Sequence, residues 1–351
     1  MIDKSKPPTT DMQLVDGEWL SRTYEPEILE PGLPIVDPHH HLWDKQQRYL
    51  LDDLLADINS GHNIRATMYV EANSMYRADG PVELRPLGET EFANGIAAMT
   101  ASGAYGPIRA CAGIIGFADL ALGDAVQPVL EAQVAAGNGR LRGIRNASAR
   151  HDADPSIRSM PFVPPKDLLA NPKFRKGFAH LAPMGLTFDA WLYQVQIGEL
   201  IALADAFPDT TIILDHCGGI LGVGMHAGKR EEEFPLWRRD IFDLAKRPNT
   251  FVKIGGLAMH NAGFRFRERA LPPLSPELAQ LWKPYVETCI EAFGVHRAMF
   301  ESNFPVDKRS VRYDSTWNAF KRITAGASAN EKAALYFDTA VRCYGLDVSR
   351  E

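Results

Sequence analysis

The feature that most constrains the fold is a regular alternation of short β-branched or apolar runs with helical stretches along the whole chain. Runs of strand character occur at 34–37 (PIVD), 65–72 (RATMYVEA), 107–116 (PIRACAGIIG) and 140–146 (RLRGIRN). Four more follow at 185–193, 211–216, 250–256 and 297–302. Stretches of helical character lie between them at 89–102, 121–136, 196–206, 235–247 and 276–293. In 196–206 (QIGELIALADA) the apolar residues recur at helical spacing, so one face is apolar. Strands alternating with helices specify βαβ units around a parallel sheet. About eight such units predict an α/β fold, a closed (β/α)8 TIM-like barrel. An open dinucleotide-binding sheet would need a glycine-rich turn after its first strand, and here histidines follow instead.

No low-complexity linker interrupts the 351 residues. The expected organisation is one barrel domain over 31–351, preceded by an extension over 1–30 that wraps the barrel base or edge. Segments 311–325 and 329–344 are expected to close the barrel and cover its outside. The long connections, 73–88, 146–168, 217–234 and 257–275, should gather on the C-terminal face, where barrels carry their active sites.

Composition narrows the partners. A hydrophobic content of 45% with 23% charged residues is globular, and a net charge of −6 leaves no footprint for nucleic acid or an anionic membrane. The first residues lack an apolar targeting stretch, and no run reaches the ~18 apolar residues of a membrane span. Cys111, Cys217, Cys289 and Cys343 are scattered with no C-x-x-C pair, as expected of reduced thiols in a cytoplasmic protein. A homodimer is the base-rate expectation for assembly.

Chemistry concentrates at strand ends. His39 and His41 stand at i, i+2 at the end of the first strand, so their side chains share one side and can share a metal or a substrate carbonyl. His40 faces the other way and reads as structural. His216 closes the run TIILDH before a Gly-rich turn, and Asp215 before it can orient a neighbour. Arg145 near the end of the fourth strand is costly to bury unless it recognises a carboxylate or carbonyl. Lys253 on the seventh strand reads as a structural ion pair inside the barrel. Glu71, ending the second strand, and Asp189 and Tyr193 on the fifth can transfer protons or touch substrate. The basic loop FRFRER (264–269), with Arg265 and Arg267, is expected to meet an anionic substrate. Trp43, Tyr193, Arg145 and Arg265 form the expected substrate-binding set.

The segments IVDPHHHLWD, GIRNA, ILDHCGG, VKIGGL and MFESNFPVD resemble the marks of the amidohydrolase superfamily. The branch they look most like contains sugar-acid lactonases and 2-pyrone-4,6-dicarboxylate lactonase. The motifs span 35–307 in the order of that family. The resemblance implies a TIM-like barrel and attack of water on an ester or lactone carbonyl of a small anionic substrate. It makes His39 and His41 the HxH pair, His216 the later histidine, and Arg145 a binder of substrate carboxylate or carbonyl. The departure is at strand eight, where the family usually carries an aspartate base and this chain has Asn303. An amide takes no proton from water at neutral pH and is a poorer metal ligand than a carboxylate.

Two mechanisms follow. Either one divalent metal (zinc) sits on His39, His41 and His216, or no metal is used and histidines with Arg145 stabilise the oxyanion while a histidine or Glu71 activates water. Asn303 orients water or substrate in both. Amide hydrolysis, decarboxylation or hydration on the same barrel is the alternative reaction, and a catalytically inactive ligand-binding barrel is the alternative of another class.

Overall fold

The alternation of strand and helix closes on itself in the computed structural model, which describes residues 14–350. Eight strands pair in chain order, all parallel. They are β1 (Pro34–His40), β2 (Asn63–Val70), β3 (Arg109–Gly116), β4 (Leu141–Arg145), β5 (Thr187–Ala190), β6 (Ile212–Leu214), β7 (Thr250–Ile254) and β8 (Ala298–Phe300). The helices that follow them in turn are α1 (Leu51–Ile58), α2 (Leu87–Ala101), α3 (Gln127–Gly137), α4 (Pro172–Phe178), α5 (Ile197–Ala206), α6 (Arg230–Ala245), α7 (Ser275–Phe293) and α8 (Tyr313–Ile323). The expected (β/α)8 barrel is therefore present. No helix among the described residues is long and apolar enough to cross a membrane.

Closure between β8 and β1 happens just beyond β8. His40 bridges Phe304 in parallel register, His41 N donates to Phe304 O at 2.8 Å, and Asn303 N donates to His39 O at 3.0 Å. Buried Asp37 locks the seam by accepting from Ser302 N at 3.0 Å and from the Tyr313 hydroxyl at 3.0 Å. Burial raises its pKa to about 6 despite those donors.

The barrel interior has two levels, written by strand periodicity. Ile213, Phe251 and Met299 belong to an apolar cluster with Val36 and Met68. Two residues further along the same faces stand Asp215, Lys253 and Glu301, all buried. The C-terminal segment plugs the apolar level with Phe337, Ala340, Tyr344 and Leu346. Tyr344 then donates its hydroxyl to Asp189 Oδ2 at 2.9 Å. This corrects the expectation that 329–344 covers the outside. α8 does pack outside, against α7, but the last helical segment packs against residues of the interior. Lys253 pairs with Asp189 at 2.5 Å, the structural ion pair expected for it.

The N-terminal segment is held along α7 and α8. Trp19 Nε1 donates to Arg269 O at 3.0 Å, Glu25 accepts from Ser275 N at 2.7 Å, and Lys321 donates to Leu29 O at 2.8 Å. The part of the expected extension before residue 14 lies outside the described residues.

Lys253→Met leaves Asp189 buried without its cation and Asp215 with Arg145 alone, and is expected to cost about 3–5 kcal/mol in urea unfolding; an unchanged midpoint would contradict the pairing. Burial also drives His40 down to about 3 and His62 to about 4, against 6.5 in an unfolded chain. Each gains a proton on unfolding, so their contribution is complete above pH 6.5 and is lost as pH falls toward 4. The slope is about 1.4 kcal/mol per pH unit for each group. Urea midpoints from pH 7 to about 4.5 test this, and His40→Gln should flatten the fall.

Candidate active site

The site is organised by a carboxylate on β8. Glu301 Oε1 accepts from His216 Nδ1 at 2.6 Å and from His216 N at 3.1 Å. Its Oε2 lies 2.8 Å from His39 Nδ1. One buried side chain thus holds imidazoles from the ends of β1 and β6, and the two rings stand 4.4 Å apart between centroids. All three side chains are almost fully buried.

Backbone strain delivers His216 to this position. His216, Cys217, Gly218 and Gly219 have φ of 56°, 53°, 75° and 59°, one left-handed turn directly after β6. Left-handed conformation costs roughly 1–2 kcal/mol at each non-glycine residue. The turn is held by Gly218 N donating to Asp215 O at 2.9 Å and by the His216 N bond to Glu301. Gly256, after β7, completes the fit: a Cβ there would stand 2.6 Å from the His216 Cβ. Trp191 packs edge-on against His216 at 4.9 Å.

Arg145 ends β4 and is fully engaged. Its Nε donates to Glu71 Oε1 at 2.8 Å, and Nη2 donates to the Glu71 carbonyl. Nη1 lies 3.4 Å from His39 Nε2 and 3.6 Å from Asp215 Oδ2. Arg145 Nη1 and Lys253 Nζ, both donors, thus stand 3.4 Å from the two ring nitrogens of His39, Nε2 and Nδ1. Burial holds His39 well below the usual histidine pKa. Burial would raise the Glu301 carboxyl, but the two histidines outweigh it and set the pKa at about 2. The ground state is therefore an ionised carboxylate between the rings, with His39 neutral.

His41 stands beside this group. Its Nδ1 donates to Val70 O at 2.8 Å, which leaves Nε2 as the lone-pair nitrogen. Burial, followed by the Arg145 charge, keeps it neutral. Trp43 stacks on it at 5.8 Å and 18°, and Lys45 sits 5.0 Å over Trp43. Over the other side of the mouth, Tyr193 packs with Trp191, Leu221, Met259 and Ile157 and donates to Ser159 Oγ at 2.9 Å. Tyr193 lies beyond the end of β5 rather than on it. The loops after β4 and β6 are joined by His151 and His226, whose Nε2 atoms are 2.8 Å apart.

The structure therefore rearranges the sequence-derived set. The metal-capable group is His39, His216 and Glu301, with one ligand atom from each lying within 4.8 Å of the others. His41, expected as the third ligand, is outside that group. Glu301 had been read only as part of the strand-eight motif. Its signal was its place two residues after Met299, on the inward face of β8. Glu71 is committed to Arg145, and Arg145 is committed to Glu71. Arg265, expected to meet substrate, is exposed and paired with Glu268, apart from the histidine group. Arg267 likewise turns to the N-terminal segment, pairing with Asp16 and lying 4.5 Å over Trp19. The basic loop fastens that segment.

Donor chemistry and charge both fit a divalent cation. Two imidazoles and a carboxylate are a zinc donor set. Glu301 Oε2 and both Asp215 oxygens are buried without an aligned hydrogen bond. Four carboxylates (Glu71, Asp189, Asp215, Glu301) face two cations (Arg145, Lys253) in this buried network, which leaves an excess of two negative charges.

The sequence pattern of the amidohydrolase family matches residues 36–346. The uncharacterized protein y4mH of Sinorhizobium fredii is 33% identical over 335 residues, 89% of this chain and 98% of that protein. An L-fucono-1,5-lactonase of Burkholderia multivorans is 27% identical over 323 residues, covering 89% of this chain and 96% of that enzyme. An amidohydrolase of Burkholderia multivorans solved with bound zinc shares the fold, with a TM-score of 0.68, 24% identity, and coverage of 89% of this chain and 99% of that one. With the match extending from the first barrel strand into the C-terminal plug, the chain belongs to the amidohydrolase family.

Proposed function

We propose that this protein is a lactonase that opens the ring of a small sugar-acid or aromatic-acid lactone by attack of water on its carbonyl. The observation that carries the reading is the buried group of His39, His216 and Glu301 beside Arg145, in a chain similar over most of its length to an L-fucono-1,5-lactonase. His39, His216 and Glu301 would hold a zinc ion, which when bound would supply Lewis acidity toward the lactone carbonyl and the attacking water. Glu301 orients both rings, and Asp215 and Arg145 keep His39 in place. His41, neutral and with Nε2 free, takes the proton from the attacking water and returns it to the leaving ring oxygen. Trp43 and Trp191, packed against His41 and His216, form apolar walls that limit access of bulk water. Lys45 near Trp43 supplies positive charge at the rim for an anionic substrate.

Acid release from a panel of lactones, including L-fucono-1,5-lactone and 2-pyrone-4,6-dicarboxylate, tests the reading. Turnover of at least one lactone is expected; a panel that leaves every lactone intact while an amide or carboxylated arene is consumed would overturn it. Stripping the protein with a chelator should abolish that turnover and zinc should restore it, whereas full activity in metal-free protein would contradict the cation's role. Glu301→Gln keeps the shape without the charge, and zinc affinity and kcat should both fall about 10–100-fold. His41→Ala should lower kcat about 10²–10⁴-fold with an intact fold and retained zinc. Loss of zinc in that variant would place His41 among the ligands instead.

A further inference from the structure

The strand-eight amide has a partner four residues downstream. Asn303, with φ of 56°, donates from its backbone to His39 O at 3.0 Å, so it is seated beside the histidine group. Its side-chain Nδ2 donates to Asp307 Oδ1 at 2.8 Å. Asp307 is held in turn: its other oxygen accepts from Ala258 N at 3.1 Å, and its own backbone N donates to Asn303 O at 3.1 Å. Both side chains are 1% exposed. With the nitrogen fixed on Asp307, the amide oxygen points away from it, and this Oδ1 is buried without any partner. An unsatisfied buried acceptor costs about 1–3 kcal/mol. Nothing in the barrel wall offsets that cost, whereas a water or substrate hydroxyl in the site would.

We propose that Asp307 is a positioning residue for the lactone-opening reaction: it locks the Asn303 amide with its oxygen directed into the site, where that oxygen accepts a hydrogen bond from the attacking water. The proposal rests on the lactonase reading above. It explains how the chain manages without the aspartate that the resemblance leads one to expect at 303. A carboxylate there would add one more negative charge two residues from Glu301. An amide supplies an acceptor without charge, and the charge of Asp307 polarises it through the N–H bond. Proton removal stays with His41. The charged groups around Asp307 are His216, Glu301 and Arg309. Burial raises the Asp307 carboxyl to about 7, with His216, Ala258 and Asn303 opposing the rise. When it protonates, its hydroxyl can donate to an amide oxygen, and the orientation of Asn303 is no longer enforced.

The test uses the zinc-loaded full-length protein and L-fucono-1,5-lactone. Asp307→Ala and Asp307→Asn should lower kcat about 10–100-fold with KM little changed, and Asp307→Asn should lose the acid limb near pH 7. The exchange variant N303D/D307N restores a donor–acceptor pair in the opposite sense and puts a carboxylate at 303; its kcat should exceed that of either single variant. Wild-type kcat in Asp307→Ala, or an exchange variant that folds like wild type yet is no faster than the singles, would overturn the proposal. A readout without substrate separates this from failure of the lactonase reading. The side-chain amide NMR signals of Asn303 should titrate with a midpoint near pH 7 in wild type and not in Asp307→Asn. An Asn303 signal indifferent to both pH and the substitution would overturn the proposal even if another substrate is found.

Discussion

The geometry of the site depends on where the Glu301 carboxylate sits: between two imidazoles that come from opposite parts of the sheet. Its oxygens reach His39 on β1 at 2.8 Å and His216 after β6 at 2.6 Å. A carboxylate buried to this depth is expensive to keep ionised unless its partners are close and aligned. The rest of the interior can be read as the arrangement that makes it tolerable. Arg145 and Lys253 place positive charge on either side of His39, and Asp215 and Glu71 hold those cations in turn. The left-handed turn at 216–219 and the bare Cα of Gly256 exist to bring the His216 ring to Glu301.

The same carboxylate explains why the barrel is divided into two levels. Below, β-branched and other apolar residues meet the C-terminal plug, which removes water from the bottom of the network. Tyr344 crosses the boundary to bond Asp189 and leaves that end closed. On the C-terminal face the loops after β4 and β6 are clasped by the His151–His226 contact, with Trp43 and Trp191 packed against His41 and His216. The excess of carboxylates over cations at the upper level and the neutral rings of His39 and His41 make a centre suited to a cation and a polarised carbonyl.

Much of this was legible in the residues. The eight strands announced themselves as short apolar runs, and the HxH spacing placed His39 and His41 on one side of a strand. The short helices Leu51–Ile58 and Pro172–Phe178 were not anticipated, because about two turns leave little periodicity to detect. Glu301 escaped because its meaning depends on closure: only when β8 meets β1 does it face His39. The setting of Arg265 was hidden for a related reason. A basic loop looks the same in sequence whether it faces a substrate or, as here, pairs with Glu268 beside a segment fastened by Arg267 and Asp16. Spacing and the family resemblance both pair His41 with His39, whereas the bond to Val70 O that sets its ring comes from a neighbouring strand.

The central claim is that His39, His216 and Glu301 together form a cation-holding catalytic centre. Zinc K-edge X-ray absorption on the zinc-loaded protein addresses it most directly. One zinc is expected, with a first shell of nitrogen and oxygen only, at about 2.0–2.2 Å, and outer-shell scattering from two imidazoles. Sulfur in the first shell, scattering from three imidazoles, or a protein that takes up no zinc would contradict it.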